Sequence, residues 1–251
     1  MRAILLRIGH VTRPVDTFDA ATASRTFRIA ASDYFSTVVL PGLMRHMEVH
    51  APCVRFDVQP LSPKLNEELE RGEIDLLIVP QDYAVKGFPS RLLFEDDWVC
   101  VAWSGNEKVR LNFTLDQFLE MEHVVKRQSH PSFTPIEARD AGLLGLERKI
   151  EVRLPQYGLL PVAVAGTQRI AVVQRRLATM YAAWLPLIVL ECPFECTPLR
   201  EMMQWHHLYE SDTGHQWLRE ALAEHCDAKQ VKKLATKAPS PVALAGSPRK
   251  S

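Results

Sequence analysis

Apolar and polar residues fall into alternating blocks along the first third of the chain, and these blocks predict alternating strands and helices. The predicted elements are strand 26–31, an apolar helix from Phe35 to Met44, strand 54–58, helix 63–71 and strand 74–79. Gly72 is a suitable C-cap for the second of these helices. The β-α-β-α-β order predicts a parallel sheet with both faces covered.

The later part of the chain repeats this pattern and predicts a second lobe. Strand 98–103 is expected to cross into that lobe, and strand 202–209 to return from it. The elements predicted between them are helix 115–121, strand 123–125, helix 134–142, strand 150–152, helix 159–165 and strand 170–173. Asp212 is expected to cap a last helix, 214–225, on the first lobe. Two crossings predict a hinged body with a ligand cleft at the carboxyl ends of the strands.

Five segments carry a family resemblance by their order and spacing. They are RTFRIAASDYFSTVVLPGLMRHMEVHAP, LNEELERGEIDLLIV, RLLFEDDWVCVAWSGN, LPQYGLLPVAVAGTQRIAVVQRRLA and DTGHQWLREAL. Together they resemble the effector-binding domain of LysR-type transcriptional regulators, and most of all the branch that senses aromatic acids and nodulation flavonoids. The resemblance implies an α/β, two-lobe, periplasmic-binding-protein-like (type 2) fold with two hinge crossings.

The resemblance also implies how the chain is divided. Residues 1–24 are expected to be the end of a linker helix and a linker, and residues 25–226 the effector-binding domain. The first lobe is expected at about 25–102 and 210–226, the second at about 103–209, and a basic disordered tail at 227–251. The resemblance implies that the winged helix-turn-helix of the family would precede residue 1 and is not part of this sequence. We therefore expect DNA contact only through a missing N-terminal domain or a full-length partner.

Composition and charge narrow the class of protein. Residues 227–251 carry six Lys or Arg against one Asp, a net charge of +5, so the rest of this formally neutral chain carries −5. A mildly acidic body argues against a broad nucleic-acid surface. The 5 cysteines form no short disulfide framework, which favours reduced thiols in the cytoplasm. The sequence has neither a membrane-length apolar run nor a secretion signal.

Residues that follow the first two strands are candidate effector ligands. Ser32, Asp33 and Tyr34 lie where a helix N-terminus would offer free amides to a carboxylate. The alternative for them is a plain helix cap. Pro60 and Ser62 follow the second strand and are expected to face the same cleft, or else to form an ordinary turn.

Residues that follow two strands of the second lobe complete the predicted site. Ser129 and His130 end a basic loop that could hold an anionic group, although the loop could equally be a solvated charge run. The resemblance implies that the residues after Pro155, here Gln156 and Tyr157, line the pocket. Tyr157 could stack on an aromatic effector, or lie in the core beneath a turn.

Patterns that would indicate catalysis, a cofactor or a metal are missing from the sequence. It has no glycine-rich phosphate loop, nucleophile elbow or HExxH motif. Cys192 and Cys196, with the histidines at 206–207, are too loosely spaced for structural zinc. His46 and His50 share a helix face but are interpreted as solvent-exposed side chains. We expect no catalytic set, cofactor or metal, and hence no enzyme.

These observations predict the ligand-sensing domain of a LysR-type regulator. It is expected to bind a small aromatic or carboxylic effector, to form homodimers or higher oligomers through the helix 38–50 that contains Met44, and to contact no membrane. The alternative is a stand-alone cytoplasmic solute-binding protein of the same fold. An enzyme on this fold is a third class, for which the sequence offers no acid/base pair.

Overall fold

A computed structural model of the 251-residue chain describes residues 18–109, 112–128, 130 and 133–226. Three sequence predictions lie wholly or partly outside the described residues: the short helix and linker before residue 18, the site residue Ser129 and the basic tail. The described end of the predicted linker packs on the body, where the ring of Phe18 lies 5.3 Å from that of Trp217.

The first lobe is built on a mixed sheet that begins with the predicted β-α-β-α-β unit. Its elements are β1 (Arg25–Ala30), α1 (Asp33–Val38), α2 (Leu40–His50), β2 (Val54–Gln59), α3 (Leu65–Glu70), β3 (Leu76–Pro80) and β4 (Ser90–Asp96). Strand β1 pairs in parallel with both β2 and β3. Gly72 has a φ of 62° at the end of α3, as its role as a C-cap requires.

The second lobe repeats this plan, and the chain then returns to the first. The elements are β5 (Trp98–Trp103), α4 (Leu115–Glu120), β6 (Glu122–Lys126), α5 (Ile136–Leu143), β7 (Lys149–Leu154), α6 (Leu159–Val164), β8 (Ile170–Gln174), α7 (Arg175–Ala182), β9 (Leu187–Glu191), β10 (Leu199–Gln204) and α8 (Thr213–Cys226). Strand β6 pairs in parallel with β7 and β8.

Each sheet contains one interior antiparallel strand that directly follows a crossing between the lobes. The strand order is β2-β1-β3-β10-β4 in the first sheet and β7-β6-β8-β5-β9 in the second. Strand β5 follows the first crossing and lies antiparallel between β8 and β9, and β10 follows the second crossing and lies antiparallel between β3 and β4. The two crossings therefore tie the lobes together, as the predicted fold class requires.

The structure corrects several predicted elements. The first helix is two helices that meet at Val39, because Pro41 lacks an amide hydrogen and opposes a continuous helix. Strand β5 belongs wholly to the second sheet, so the first crossing is at Asp97. The return strand is β10, which ends at Gln204 before a 3₁₀ turn, and it belongs to the first lobe. The sequence analysis missed β4, α7 and β9.

A buried polar network fixes the last helix to the first sheet. The Asp75 carboxylate accepts hydrogen bonds from Arg28 and from the hydroxyl of Tyr209, at 2.8 Å for each of its Oδ1 contacts. The ring of His215 bonds to the Asp75 carbonyl at 2.8 Å and to Arg219 at 2.7 Å. Burial lowers the pKa of His215 to about 4, so the ring is neutral and accepts from the guanidinium.

Candidate effector-binding cleft

A cavity of about 320 Å³ lies between the two lobes, at the carboxyl ends of the parallel strands of both sheets. The first lobe contributes the start of α1 and the segments that follow β2 and β3. The second lobe contributes the ends of β6 and β8, the start of α5 and the segment that follows β7. The lining residues are Ala31, Ser32, Asp33, Tyr34, Pro60, Leu61, Pro80, Tyr83, Trp98, Lys126, Phe133, Thr134, Pro135, Ile136, Pro155, Gln156, Tyr157, Gln174, Leu199 and Glu201.

The three residues predicted after β1 all line this cavity, and each has a distinct contact. The hydroxyl of Ser32 accepts a hydrogen bond from the Phe35 amide at 3.1 Å and so caps α1. Tyr34 is buried, and its hydroxyl donates to the Asp96 carboxyl at 2.5 Å. Burial raises the pKa of Asp96. Ser32 and Tyr34 thus combine a structural contact with a place in the lining.

Tyr157 and Gln156 line the opposite wall. The hydroxyl of Tyr157 donates to the carboxyl of Glu137 at 2.9 Å, and its ring lies 5.9 Å from that of Trp98. Glu137 is buried at the start of α5, and this burial raises its pKa to about 7. The ammonium group of Lys126 lies 5.8 Å from the centre of the Tyr157 ring. This wall of the cavity is therefore aromatic, with the Lys126 cation and the buried Glu137 carboxyl group beside it.

The other predicted site residues are divided between the cavity and its surroundings. Pro60 lines the cavity. Ser62 is not among the residues that line the cavity. Its hydroxyl donates to Glu68 at 2.6 Å and accepts from the amide of Lys64. His130 is likewise outside the lining residues and packs beside Phe133, with the two ring centres 6.3 Å apart. Contact of any of these side chains with an effector stays a prediction.

Two buried polar side chains face the cavity without an internal hydrogen bond at their oxygens. Glu201 on β10 is 1% exposed, and neither carboxyl oxygen has a hydrogen-bond partner among the described residues. The side-chain oxygen of Gln174 at the end of β8 is in the same condition. Burial, and then the nearby Asp96, raises the pKa of Glu201 to about 8. Buried acceptors in this condition favour a ligand that donates hydrogen bonds.

Several contacts between described residues join the lobes, and three of them lie around the cleft. Asp33 accepts a hydrogen bond from the amide of Gly158 at 3.0 Å. The guanidinium of Arg139 pairs with Asp82 at 2.6 Å. The third contact is a hydrogen bond from the hydroxyl of Tyr83 to the carbonyl of Thr134. These contacts join the lobes in the arrangement described here, and a ligand that bound this arrangement and a more open one unequally would shift the balance between them.

Comparison with known proteins identifies the family to which this geometry belongs. The family model described as the LysR substrate binding domain matches residues 20–227. The chain belongs to the LysR substrate-binding domain family. It is 34% identical to nodulation protein D 2 of Rhizobium tropici over 224 residues, 89% of this chain and 71% of that protein. Nodulation protein D of Azorhizobium caulinodans is 29% identical over 231 residues, 92% of this chain and 74% of that protein.

Solved structures agree with this assignment. A probable transcriptional regulator from Pseudomonas aeruginosa is 25% identical, with a TM-score of 0.77 over 88% of this chain and 73% of that one. The regulatory domain of MexT, a transcriptional activator in the same organism, shares the fold with a TM-score of 0.70 and 23% identity over 82% of this chain and all of the other. This chain is thus the effector-sensing domain of a LysR-type regulator, and not an enzyme.

Several lining residues of this LysR domain were missed by the sequence analysis. Tyr83 ends the short turn that follows β3, and Gln174 is the last residue of β8. Both were predictable by the rule that identified Ser32, namely that ligands bind at the carboxyl ends of parallel strands. Glu201 is an acidic residue in the interior of strand β10, which is a weaker signal. Glu137 reaches Tyr157 from a helix, and the sequence contains no pattern that would indicate this contact.

The described residues of this LysR domain contain neither a metal site nor a membrane-spanning helix. Within the described part of the chain, no three His, Cys, Asp or Glu side chains are grouped in a way that could hold a metal ion. No helix of the described residues is long and apolar enough to cross a bilayer. The sulfur atoms of Cys192 and Cys196, which were weighed as zinc ligands, lie 3.6 Å apart.

Proposed function

We propose that the effector of this LysR domain is a small aromatic molecule that presents hydroxyl or other donor groups and binds between the lobes. The observation that carries the proposal is the composition of the cleft lining. The walls are apolar and aromatic, with Tyr83, Trp98, Phe133 and Tyr157 among them. The cavity volume of about 320 Å³ is at the lower end of the range for small-molecule sites, which suits a compact ligand.

The charge of the lining favours a neutral effector over a carboxylate. The lining contains two carboxyl groups, Asp33 and Glu201, and one cation, Lys126. The amide of Gly158 in the opposite lobe already bonds to Asp33. The one cation in the lining thus has the Asp33 carboxyl group to balance it and leaves no surplus positive charge for a carboxylate ligand, whereas a hydroxyl could donate to the unpartnered oxygens of Glu201 or Gln174. Of the two effector classes predicted from the sequence, the lining therefore favours aromatic compounds over carboxylic ones.

A thermal-shift experiment on the purified chain tests this proposal. Phenols, aromatic carboxylates and aromatic amines of matched size would be compared, because a ligand that binds only the folded state raises the melting temperature. We expect phenols to give the largest shift, and Tyr157→Ala and Ser32→Ala to reduce it. Ser62→Ala is the matched control, since Ser62 does not line the cavity. A larger shift with carboxylates, or an equal loss in the control, would contradict the proposal.

Association and location follow from the role of the family. The inner face of α2 is buried at Leu43 and Met47, whereas Met44 and Val49 are 62% and 73% exposed. We propose that this outer face meets the second lobe of an identical partner, where Trp184 is 67% exposed. A regulator of transcription works where the DNA is, and five cysteines described as free thiols suit a reducing compartment. We therefore propose a cytoplasmic homodimer.

A further inference from the structure

A pair of thiols lies in the second crossing between the lobes. Cys192 directly follows β9, and Cys196 lies three residues before β10, with Pro193 between them. Their sulfur atoms are 3.6 Å apart, and both side chains are half-buried. A disulfide has a sulfur–sulfur distance of about 2.05 Å, so a movement of about 1.5 Å would join them. Such a movement is within reach of a short segment without regular secondary structure.

The surroundings of the pair distinguish the two thiols. Cys100, buried on β5, lies beside Cys192 because its strand neighbour across the sheet is Leu190. Hydrogen bonds from the thiols of Cys100 and Cys196 lower the pKa of Cys192 to about 4, and the positive charge of Arg148 acts in the same direction. The hydrogen bond to Cys192 raises the pKa of Cys196. The pair therefore places a thiol of lowered pKa beside a second thiol at 3.6 Å, the arrangement that reacts with electrophilic oxidants.

We propose that Cys192 and Cys196 form a reversible disulfide when the protein meets a hydroperoxide. The Cys192 thiolate attacks the peroxide oxygen, breaks the O–O bond and becomes a sulfenic acid, while the leaving hydroxide takes up a proton as water or the leaving alkoxide as an alcohol. The Cys196 sulfur, losing its proton, then displaces the sulfenic hydroxyl as a second water. Two thiols are oxidised, one peroxide is reduced, and a dithiol reductant reverses the change.

The disulfide would act on the effector cleft through the segment that follows it. The amide of Thr197 donates to Asp140 at 2.7 Å, and its carbonyl accepts from the indole of Trp98 at 3.1 Å. Trp98 lines the cleft, and so do Leu199 and Glu201 further along β10. Cys196 is therefore directly followed by Thr197, whose carbonyl binds the indole of the lining residue Trp98. Oxidation should change the environment of the cleft without touching its lining residues.

The test uses the purified chain, hydrogen peroxide and peptide mass spectrometry, and it needs no effector. We expect wild type to gain a Cys192–Cys196 bond, with the loss of two hydrogens, and dithiothreitol to reverse it. In Cys196→Ser, dimedone should trap a sulfenic acid at Cys192. At pH 6 Cys192, which has two thiol neighbours that lower its pKa, should react faster than the exposed Cys53.

Matched variants and the wild type together decide the outcome. Cys53→Ser should retain the disulfide and its rate. Should Cys196→Ser fail to fold, as judged by circular dichroism, the wild-type peptide map still decides. The proposal is overturned if peroxide leaves both thiols free, if Cys53 reacts as fast as Cys192, or if the bond formed joins other cysteines. Hydrogen exchange over β10 should also differ between the reduced and oxidised forms, and identical exchange would refute the link to the cleft.

Discussion

The carboxylate of Asp33 in the first lobe accepts a hydrogen bond from the backbone amide of Gly158 in the second, at 3.0 Å. Asp33 lies in the first turn of α1, and Gly158 directly precedes α6. The bond therefore joins the N-terminal ends of two helices across the cleft. Burial raises the pKa of Asp33, so the carboxylate is held in this position against the cost of its desolvation.

Removal of this bond should open the cleft. We expect Asp33→Ala to lose a hydrogen bond with a charged acceptor, which contributes about 1.5–3 kcal/mol. Amide hydrogen exchange at Gly158 and over α6 should then become faster in the absence of effector. Asp57→Ala is the control, because Asp57 is exposed on β2. Unchanged exchange in Asp33→Ala would show that the other contacts between the lobes suffice.

The network around Asp75 should be the most sensitive polar feature of the fold. Asp75→Asn would leave the guanidinium of Arg28 without its partner charge, and breaking a buried pair costs about 3–5 kcal/mol. Tyr209→Phe should cost about 1–3 kcal/mol through one lost hydrogen bond. Urea unfolding measures both changes.

The exposed ion pair between Arg71 and Glu67 provides the comparison for this network. Glu67→Gln should change the free energy of unfolding by less than about 1 kcal/mol, since solvent screens such a pair. A loss in Asp75→Asn no larger than this would show that the network is not needed for the stability of the first lobe.

The sequence predicted the fold where the local pattern was strong. The alternation from β1 to β3 and the Gly72 cap are local signals, and the resemblance covered the rest of the domain. The helix break at Val39 was missed because the apolar pattern of residues 35–44 outweighed the signal of Pro41. Strands that change sheets are harder, since β5 and β10 have the same apolar pattern in either lobe. Their assignment depends on long-range pairing.

The site could be predicted from sequence only in part. Residues such as Ser32 and Tyr157 follow strands, and parallel strands end at the same edge of a sheet. Glu201 and Glu137 reach the cleft region from a strand interior and a helix. Their roles depend on which side chains the two lobes bring together, and this information is not local. The same holds for the thiols of Cys100 and Cys192, which lie about 90 residues apart in sequence and side by side across two strands.

The two buried acids should contribute a loss of stability as the pH rises from about 5 to about 8. Their pKa values are raised to about 7 for Glu137 and about 8 for Glu201, well above those in an unfolded chain. In this range both groups are ionised in the unfolded state but still largely protonated in the folded state. The free energy of unfolding therefore falls as the pH increases. The buried histidines, with pKa values lowered to about 4, do not titrate there in the folded state.

Glu201→Gln isolates the contribution of one acid to this decline. The variant should reduce the slope of unfolding free energy against pH by up to about 1.4 kcal/mol per pH unit between pH 6.5 and 7.5. Urea unfolding in a series of buffers measures the slope. An exposed acid gives the control, and Glu95→Gln should leave the slope unchanged. An unchanged slope in Glu201→Gln would mean that Glu201 is ionised in the folded protein at neutral pH.

The outer face of α2 should control association of the domain. In a two-fold dimer each contact occurs twice, so Met44→Glu would place two charges in the interface. We expect this variant to be a monomer by light scattering at micromolar concentration, where the wild type should have about twice the chain mass. Met44→Ala should change the stability of the protomer by less than about 0.5 kcal/mol because Met44 is 62% exposed.

Two further variants separate association from folding. Leu43→Ala, on the buried face of the same helix, should cost about 2–5 kcal/mol through a cavity while the surviving folded chains still pair. Leu143→Glu changes a residue that is 80% exposed at the end of α5, a helix of the second lobe outside the proposed contact at Trp184, and should leave the dimer intact. A wild-type chain that stays monomeric at every concentration, or a Met44→Glu dimer as tight as wild type, would refute the proposed interface. Dissociation by Leu143→Glu would instead place the interface at α5, because only a residue in the contact should respond to an added charge.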